Sequence, residues 1–208
     1  MTKATVKKDN NYRYTLTMNG KTTALIVGLA LLCLIVGGTV GSRMKVDNNI
    51  SARTVANYLH AVIEADRTFY TQHIVERMED MLIVPVSEKW REEQGLPLPV
   101  QFLRESSESL RALDAPFRYR LVSLWPLNSQ NAPVSPEEKA ALEQVVKNED
   151  VVEMEVMIDG QRYFKAIYPD RAVSRACVSC HNAHTEAPKR DFKLNDVVGG
   201  LVIQIPLE

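Results

Sequence analysis

At 208 residues, with 25 Lys and Arg against 26 Asp and Glu, the chain has room for one sizeable domain and a short appendage. A net charge of −1 excludes the strongly basic surface that nucleic acid demands. Three cysteines, one of them inside an apolar run, exclude a disulfide framework.

Lys3, Lys7, Lys8, Arg13 and Lys21 precede an uncharged run over residues 22–42 that is rich in Leu, Ile, Val, Ala and Gly. A bilayer core takes about 20 such residues as a helix, so the run predicts one membrane crossing. The basic residues before it stay in the cytoplasm, which places everything after Arg43 outside. A cleaved signal peptide is the competing reading. The run is longer than the roughly 7–15 residues of a signal core, and no small-x-small site follows it. The expected organisation is a cytoplasmic segment 1–21, an anchor 22–42 and an outer domain 46–208. That describes a single-pass protein of the inner (cytoplasmic) membrane with its C-terminal domain in the periplasm. Cys33 reads as a small apolar residue facing lipid.

Ser51 to Leu82 reads as one long amphipathic helix. Leu59, Val62, Ile63, Phe69, Tyr70, Ile74, Met78 and Met81 recur at spacings of three and four, and no Pro or Gly interrupts them. Residues 83–99 are irregular, broken by Pro85, Gly95, Pro97 and Pro99. Val100 to Leu113 predicts a second helix. Phe117 to Trp125 predicts a strand with Tyr119, Leu121 and Ser123 on one face. Ser135-Pro136-Glu137-Glu138 opens a third helix, with Ser135 as cap, Pro136 in the first turn and Glu138 completing a capping box. Val151–Ile158 and Gln161–Tyr168 flank Asp159-Gly160, a tight-turn pair that predicts a hairpin. Residues 169–195 read as one irregular loop. Val197 to Ile205 is the last strand, with Gly199-Gly200 marking a bulge or a close approach. The pattern predicts an α+β domain with an antiparallel sheet and a long N-terminal helix, most like a PAS fold, preceded by one transmembrane helix.

The loop holds Cys177-Val178-Ser179-Cys180-His181. Two thiols at this spacing add to the two vinyl groups on one edge of a porphyrin, and the next residue then lies under the iron. The motif therefore predicts one covalent haem c, with Cys177 and Cys180 as the attachment points and His181 as proximal ligand. Haem is attached in this way outside the cytoplasmic membrane, in agreement with the anchor. Zinc would need four ligands, and His184 is too near His181 for a comfortable tetrahedral site. A thioredoxin-like dithiol should open a helix in a βαβ setting, whereas this motif is expected in a loop. An inert surface pair would be reactive outside the cytoplasm.

The second axial ligand is open in the sequence. Met78 and Met81 on the first helix rank above His73, with His60 last. Met154 and Met157 lie on a strand, and His184 is too near His181 to reach the opposite face. A methionine in such a stripe more often packs a core than ligates, and a histidine beside it is more often solvated. Arg171, Arg175 and Lys165 are candidates to pair with haem propionates, or are ordinary solvated charges. Tyr163, Phe164 and Tyr168 wall a haem or fill the sheet core.

Five segments are similar to a family of single-haem c-type cytochrome domains with a PAS-like fold. They are Arg67-Thr68-Phe69-Tyr70-Thr71, Gly95-Leu96-Pro97-Leu98-Pro99, Phe117-Arg118-Tyr119-Arg120, Ala172 to His181, and Asp196-Val197-Val198-Gly199-Gly200. The resemblance covers residue 50 to the end. Relatives stand alone behind a membrane segment or signal peptide, or form the outer input module of histidine kinases and chemotaxis receptors. The resemblance implies a PAS-like fold, His181 as proximal ligand, and a distal ligand from the N-terminal helix that varies in type. Where the family places cysteine there, this chain has none, since Cys33 falls in the anchor.

Two functions follow. One is a carrier that passes single electrons through the haem to a redox partner protein. The other is a haem-based redox or gas sensor that reports to a signalling partner, since no transmitter sequence follows the last strand. A catalyst is expected least, because no acid–base pair stands near the motif. A homodimer is compatible with either function, and no nucleic acid partner is expected.

Overall fold

The computed structural model describes residues 5–8, 14–17 and 50–207. The chain divides into two units, Met1–Asn49 and Ile50–Glu208. In the first, β1 (Thr5–Lys8) pairs antiparallel with β2 (Tyr14–Thr17), Thr5 opposite Thr17. The expected anchor, 22–42, and Cys33 lie outside the described residues. No helix among the described residues is long and apolar enough to cross a membrane.

The second unit is α+β. It begins with α1 (Ala52–Phe69), a π-helical segment (Tyr70–Val75) and α2 (Glu76–Met81). The Ser51 hydroxyl accepts the Thr54 amide at 3.1 Å and starts α1, as an N-cap should. The expectation of one uninterrupted α-helix over 51–82 therefore needs correction. The Glu76 amide bonds back to the Thr71 carbonyl, five residues earlier, and the turn widens there. Leu82, at φ 51°, ends the run in the left-handed region.

The breakers over 83–99 enclose a two-residue parallel pairing of β3 (Val86–Ser87) and β4 (Leu96–Pro97). Then come α3 (Pro99–Ala112), β5 (Arg118–Val122), a 3-10 turn (Ser129–Asn131) and α4 (Pro136–Asn148). The unit ends with β6 (Val152–Ile158), β7 (Gln161–Arg171), α5 (Arg175–Ala183) and β8 (Val197–Pro206). The Asp159-Gly160 turn forms as expected, with φ 49° and 81°. The sheet runs β5-β8-β7-β6, and each neighbouring pair is antiparallel.

Helices cover both faces of the sheet. Ala56 and Ile63 of α1 and Leu103 of α3 pack on Tyr119, Ala166, Tyr168, Leu201 and Ile203. Ala141, Leu142 and Val145 of α4 pack on Val122, Ile167 and Val202. Alternate residues of one strand thus feed two cores, and β8 reads as an almost continuous apolar run for that reason.

The Gly199-Gly200 pair is a close approach. A Cβ on Gly199 would stand 2.3 Å from the Val122 carbonyl oxygen, and one on Gly200 would stand 2.6 Å from the Ile167 side chain. Gly199 is opposite Asp170, beside a register shift between Asp170 and Arg171. Gly199→Ala is expected to cost at least about 1–3 kcal/mol, because backbone rather than a flexible side chain must yield. Urea unfolding followed by circular dichroism measures it.

The third helix starts as expected at its cap, where the Ser135 hydroxyl accepts the Glu138 amide at 3.2 Å. The Glu138 side chain does not complete a capping box. It turns inward, accepts the Val134 amide at 3.2 Å, and meets Arg120 of β5 and Lys165 of β7.

Candidate functional site

The motif lies on a helix, α5, and not in a loop as expected. The Ser174 hydroxyl caps α5 by accepting the Cys177 amide at 3.3 Å. In a helix, positions i, i+3 and i+4 share one face, so Cys177, Cys180 and His181 point the same way. All three line a cavity of about 370 Å³. The helical setting removes one argument against a dithiol reading. The other stands, because β7 and β8, which flank the helix, are antiparallel.

A small third cluster backs the motif. Phe192 is buried with Ala172 and Val198, and Trp125, Cys177 and Val178 pack against them. The His181 ring meets Phe192 edge-on at 5.7 Å, and Phe192 meets Trp125 at 5.5 Å. Asn182 fixes Phe192 from both sides: its amide nitrogen donates to the Phe192 carbonyl at 2.9 Å and its oxygen accepts the Phe192 amide at 3.0 Å. Ser123, just after β5, donates to the Val198 carbonyl at 2.7 Å and accepts the Trp125 amide at 3.0 Å. Burial, with the charges of Arg67 and His184, lowers the His181 pKa. The shift favours the neutral imidazole, the form that ligates metal.

A second wall comes from the long helical run. Arg67, Thr71, Val75 and Glu79 line the cavity at intervals of four. The π turn accounts for this set. It inserts one residue into the α-helical phase, a rotation of about 100°. A stripe that begins at Leu59 and Ile63 continues through 67, 71, 75 and 79 in place of 70, 74, 78 and 81. None of Met78, Met81 and His73 lines the cavity. Met81 is 52% exposed, and the exposed His73 lies against Phe69 at 4.9 Å. The half-buried His60 stacks on Tyr168 at 4.0 Å.

Polar contacts hold this wall to α5 and the strand before it. Arg67 Nη2 donates to the Arg171 carbonyl at 3.2 Å, Gln72 donates to the Val173 carbonyl at 2.7 Å, and Arg175 pairs with Glu76 at 3.0 Å.

Arg67 is the cavity's buried cation. Its Nη2 stands 2.7 Å from Asp170 Oδ1, and both side chains are buried. Burial raises the Asp170 pKa, and the guanidinium opposes that rise. Arg67 Nε and Nη1 have no hydrogen-bond partner, and the contact of Asp170 Oδ1 with Nη2 is an ion pair without hydrogen-bond alignment. Partial burial, then Glu79, Cys177 and Glu88, push the Cys180 thiol up.

The basic residues suggested for propionates lie elsewhere. Lys165 is buried on Glu138, Arg171 pairs with Glu149, and Arg175 pairs with Glu76 and Asp80. The cations on the cavity wall are Arg67, Lys89 and Arg104. Tyr163, Phe164 and Tyr168 are absent from that wall, and Tyr168 and Phe164 belong to the sheet core. Among the described residues, no group of three or more His, Cys, Asp or Glu could hold a metal ion by itself.

Sequence reasoning missed Arg67 and Asp170 as site residues. The available signal was a charge four residues after Ile63, on the buried phase of an otherwise apolar stripe.

Fold and site together define an α+β domain whose antiparallel sheet carries a Cys-x-x-Cys-His helix over a cavity. The chain belongs to the Tll0287-like family, whose model matches residues 47–206. Among solved structures it is similar to the cyanobacterial heme-protein Tll0287, at 20% identity over 50% of this chain and 69% of that one, with a TM-score of 0.36. No curated protein matches it.

Proposed function

We propose that residues 50–207 form a PAS-like domain that binds one haem c, with thioether bonds to Cys177 and Cys180 and ligation by His181. On this reading the domain serves one-electron transfer on the periplasmic side of an inner membrane, anchored by residues 22–42. The observation that carries the proposal is the convergence of both thiols and the His181 imidazole on one cavity wall. Membership of a family named for a protein described as a heme-protein supports it.

The residues present fit the group. The cavity volume lies in the range of cofactor sites. Leu98, Pro99, Val100, Leu121 and Val198 on its walls suit the apolar faces of a porphyrin. Lys89, Arg104, Asn128 and Asn131, also on the walls, suit its carboxylates. When bound, haem supplies a one-electron couple. Phe192 sets the tilt of His181, and the exposed Cys180 leaves the thioether edge open to a redox partner protein.

A second reading, a haem-based sensor reporting to a partner protein, is favoured by a specific feature. Among the described residues, the cavity wall holds no methionine and no histidine besides His181. A sixth position without a firm ligand favours the binding of small molecules.

The test is the mass and reduced pyridine haemochrome spectrum of protein made in a host able to mature cytochromes. The expected result is a mass raised by one haem and a c-type spectrum. An apoprotein mass without a Soret band would remove both readings. Carbon monoxide added to the reduced protein then separates them: an immediate Soret shift favours the sensor, and no shift favours the carrier.

A further inference from the structure

The Arg67 guanidinium is 4% exposed and lines the cavity. Asp170 and the Arg171 carbonyl occupy Nη2, while Nε and Nη1 have no acceptor in the protein. A buried donor without a partner costs about 1–3 kcal/mol, and more when charged. Arg67 lines the cavity, so a ligand there can supply acceptors that the protein does not.

Haem propionates are poorly placed to supply them. Arg67 bonds the Arg171 carbonyl, and the following turns bond Val173 and Arg175 through Gln72 and Glu76, so the guanidinium sits at the motif end of the cavity. A porphyrin tethered there through its vinyl groups carries its propionates on the far edge. Lys89, Arg104, Asn128 and Asn131 are further donors on the wall that suit the propionates, and they leave Arg67 unused. The Arg171 carbonyl and the Asp170 charge together fix the guanidinium, so its remaining N–H groups are oriented before any ligand arrives, which lowers the entropic cost of binding.

We propose that Arg67, clamped by Asp170, makes this cavity a binding site for a small oxygen- or nitrogen-donor anion, of the size of azide, nitrite or formate, beside His181. The proposal rests on the ligand-open cavity of the sensor reading and adds the chemical class of the ligand.

The oxidised protein is titrated with sodium azide and with sodium nitrite by calorimetry, which reads binding whether or not a haem is present. The Soret band is followed in parallel. Two variants are compared with the wild type. Arg67→Gln/Asp170→Asn removes both charges together and leaves no orphan carboxylate. Arg67→Lys keeps the charge and its pairing but loses the planar donor set. Saturable anion binding by the wild type is expected, weakened about tenfold or more in both variants, the worth of a charge-assisted hydrogen bond. Carbon monoxide, a neutral ligand, should bind the reduced forms within about threefold of one another. Equal anion affinity in all three proteins overturns the proposal. So does a wild type that binds carbon monoxide but gives no saturable anion isotherm, a result that leaves the sensor reading intact. Should the double variant not fold, Arg67→Lys alone decides. A missing Soret band beside an Arg67-dependent isotherm removes the haem reading and supports the anion site.

Discussion

Replacing Cys177 and Cys180 together by alanine is expected to leave a folded domain that retains no haem through denaturing electrophoresis. The two large cores lie elsewhere, one between α1, α3 and the sheet and one between α4 and the sheet. Helix α5 has no buried residue. Cys180 is exposed, and Cys177 packs only against the small Phe192 cluster. The thiols therefore contribute little to folding, and the unfolding free energy of the apo-variant should stay within about 1 kcal/mol of the wild-type apoprotein. Cofactor retention should nevertheless fall from complete to none, because both thioether bonds are gone. Each single variant keeps one bond and should retain haem-stained protein. His181→Ala keeps both bonds, so its mass should still exceed that of its own apoprotein by one haem while its spectrum changes. Covalent haem persisting in the double variant would refute the assignment of these two thiols.

Sheet elements were more legible in the sequence than helical phase. The hairpin was readable because Asp159-Gly160 can adopt positive φ where other pairs are strained, and both residues do so. The two faces of β5 were readable because a strand repeats every two residues and no insertion disturbs the count. The long helix was readable as a helix, but its phase was lost at Tyr70. A π turn is set by tertiary contacts, here the hold of Arg67 on the end of β7 and of Gln72 on the chain after it, and no residue type announces it. Periodicity counted across that turn therefore pointed to Met78 and Met81, while the chain presents Thr71, Val75 and Glu79 to the cavity. Placement of the motif in a loop failed for a local reason: Ser174 is a good cap, but nine residues form a short helix without the long apolar period on which helix recognition depends. Buried Arg67 and Glu138 were hidden by their type, since charged residues are almost never fully buried unless paired. Their partners, Asp170 and Lys165, are distant in sequence.

Glu138→Ala should be the most destabilising single change among the charged residues, at about 3–5 kcal/mol. The carboxylate is 1% exposed and joins three elements. It takes a hydrogen bond from Lys165 Nζ of β7 at 2.9 Å, pairs with Arg120 of β5, and accepts the Val134 amide at the start of its own helix. Removing it leaves the ammonium of Lys165, 7% exposed, in the sheet interior with no counter-ion. The cost comes mainly from that orphan charge and less from the lost attraction. Replacing Glu138 by leucine and Lys165 by methionine together should accordingly cost less than the sum of the single changes, a coupling that a double-mutant cycle measures. The pH dependence has a definite sign. Burial pushes the Glu138 pKa up, but the Lys165 hydrogen bond and the charges of Arg120 and Lys165 outweigh it, and the folded value falls below 4.5. A depressed carboxylate stabilises the fold above the unfolded pKa and loses that contribution as pH falls through the folded one. Wild-type stability should thus drop below pH 4.5 more steeply than that of Glu138→Gln, which has no proton to take up at this site. Urea midpoints measured between neutral pH and pH 3 should converge for the two proteins on acidification, and parallel curves would show that the three-element clamp holds the sheet by shape and not by charge.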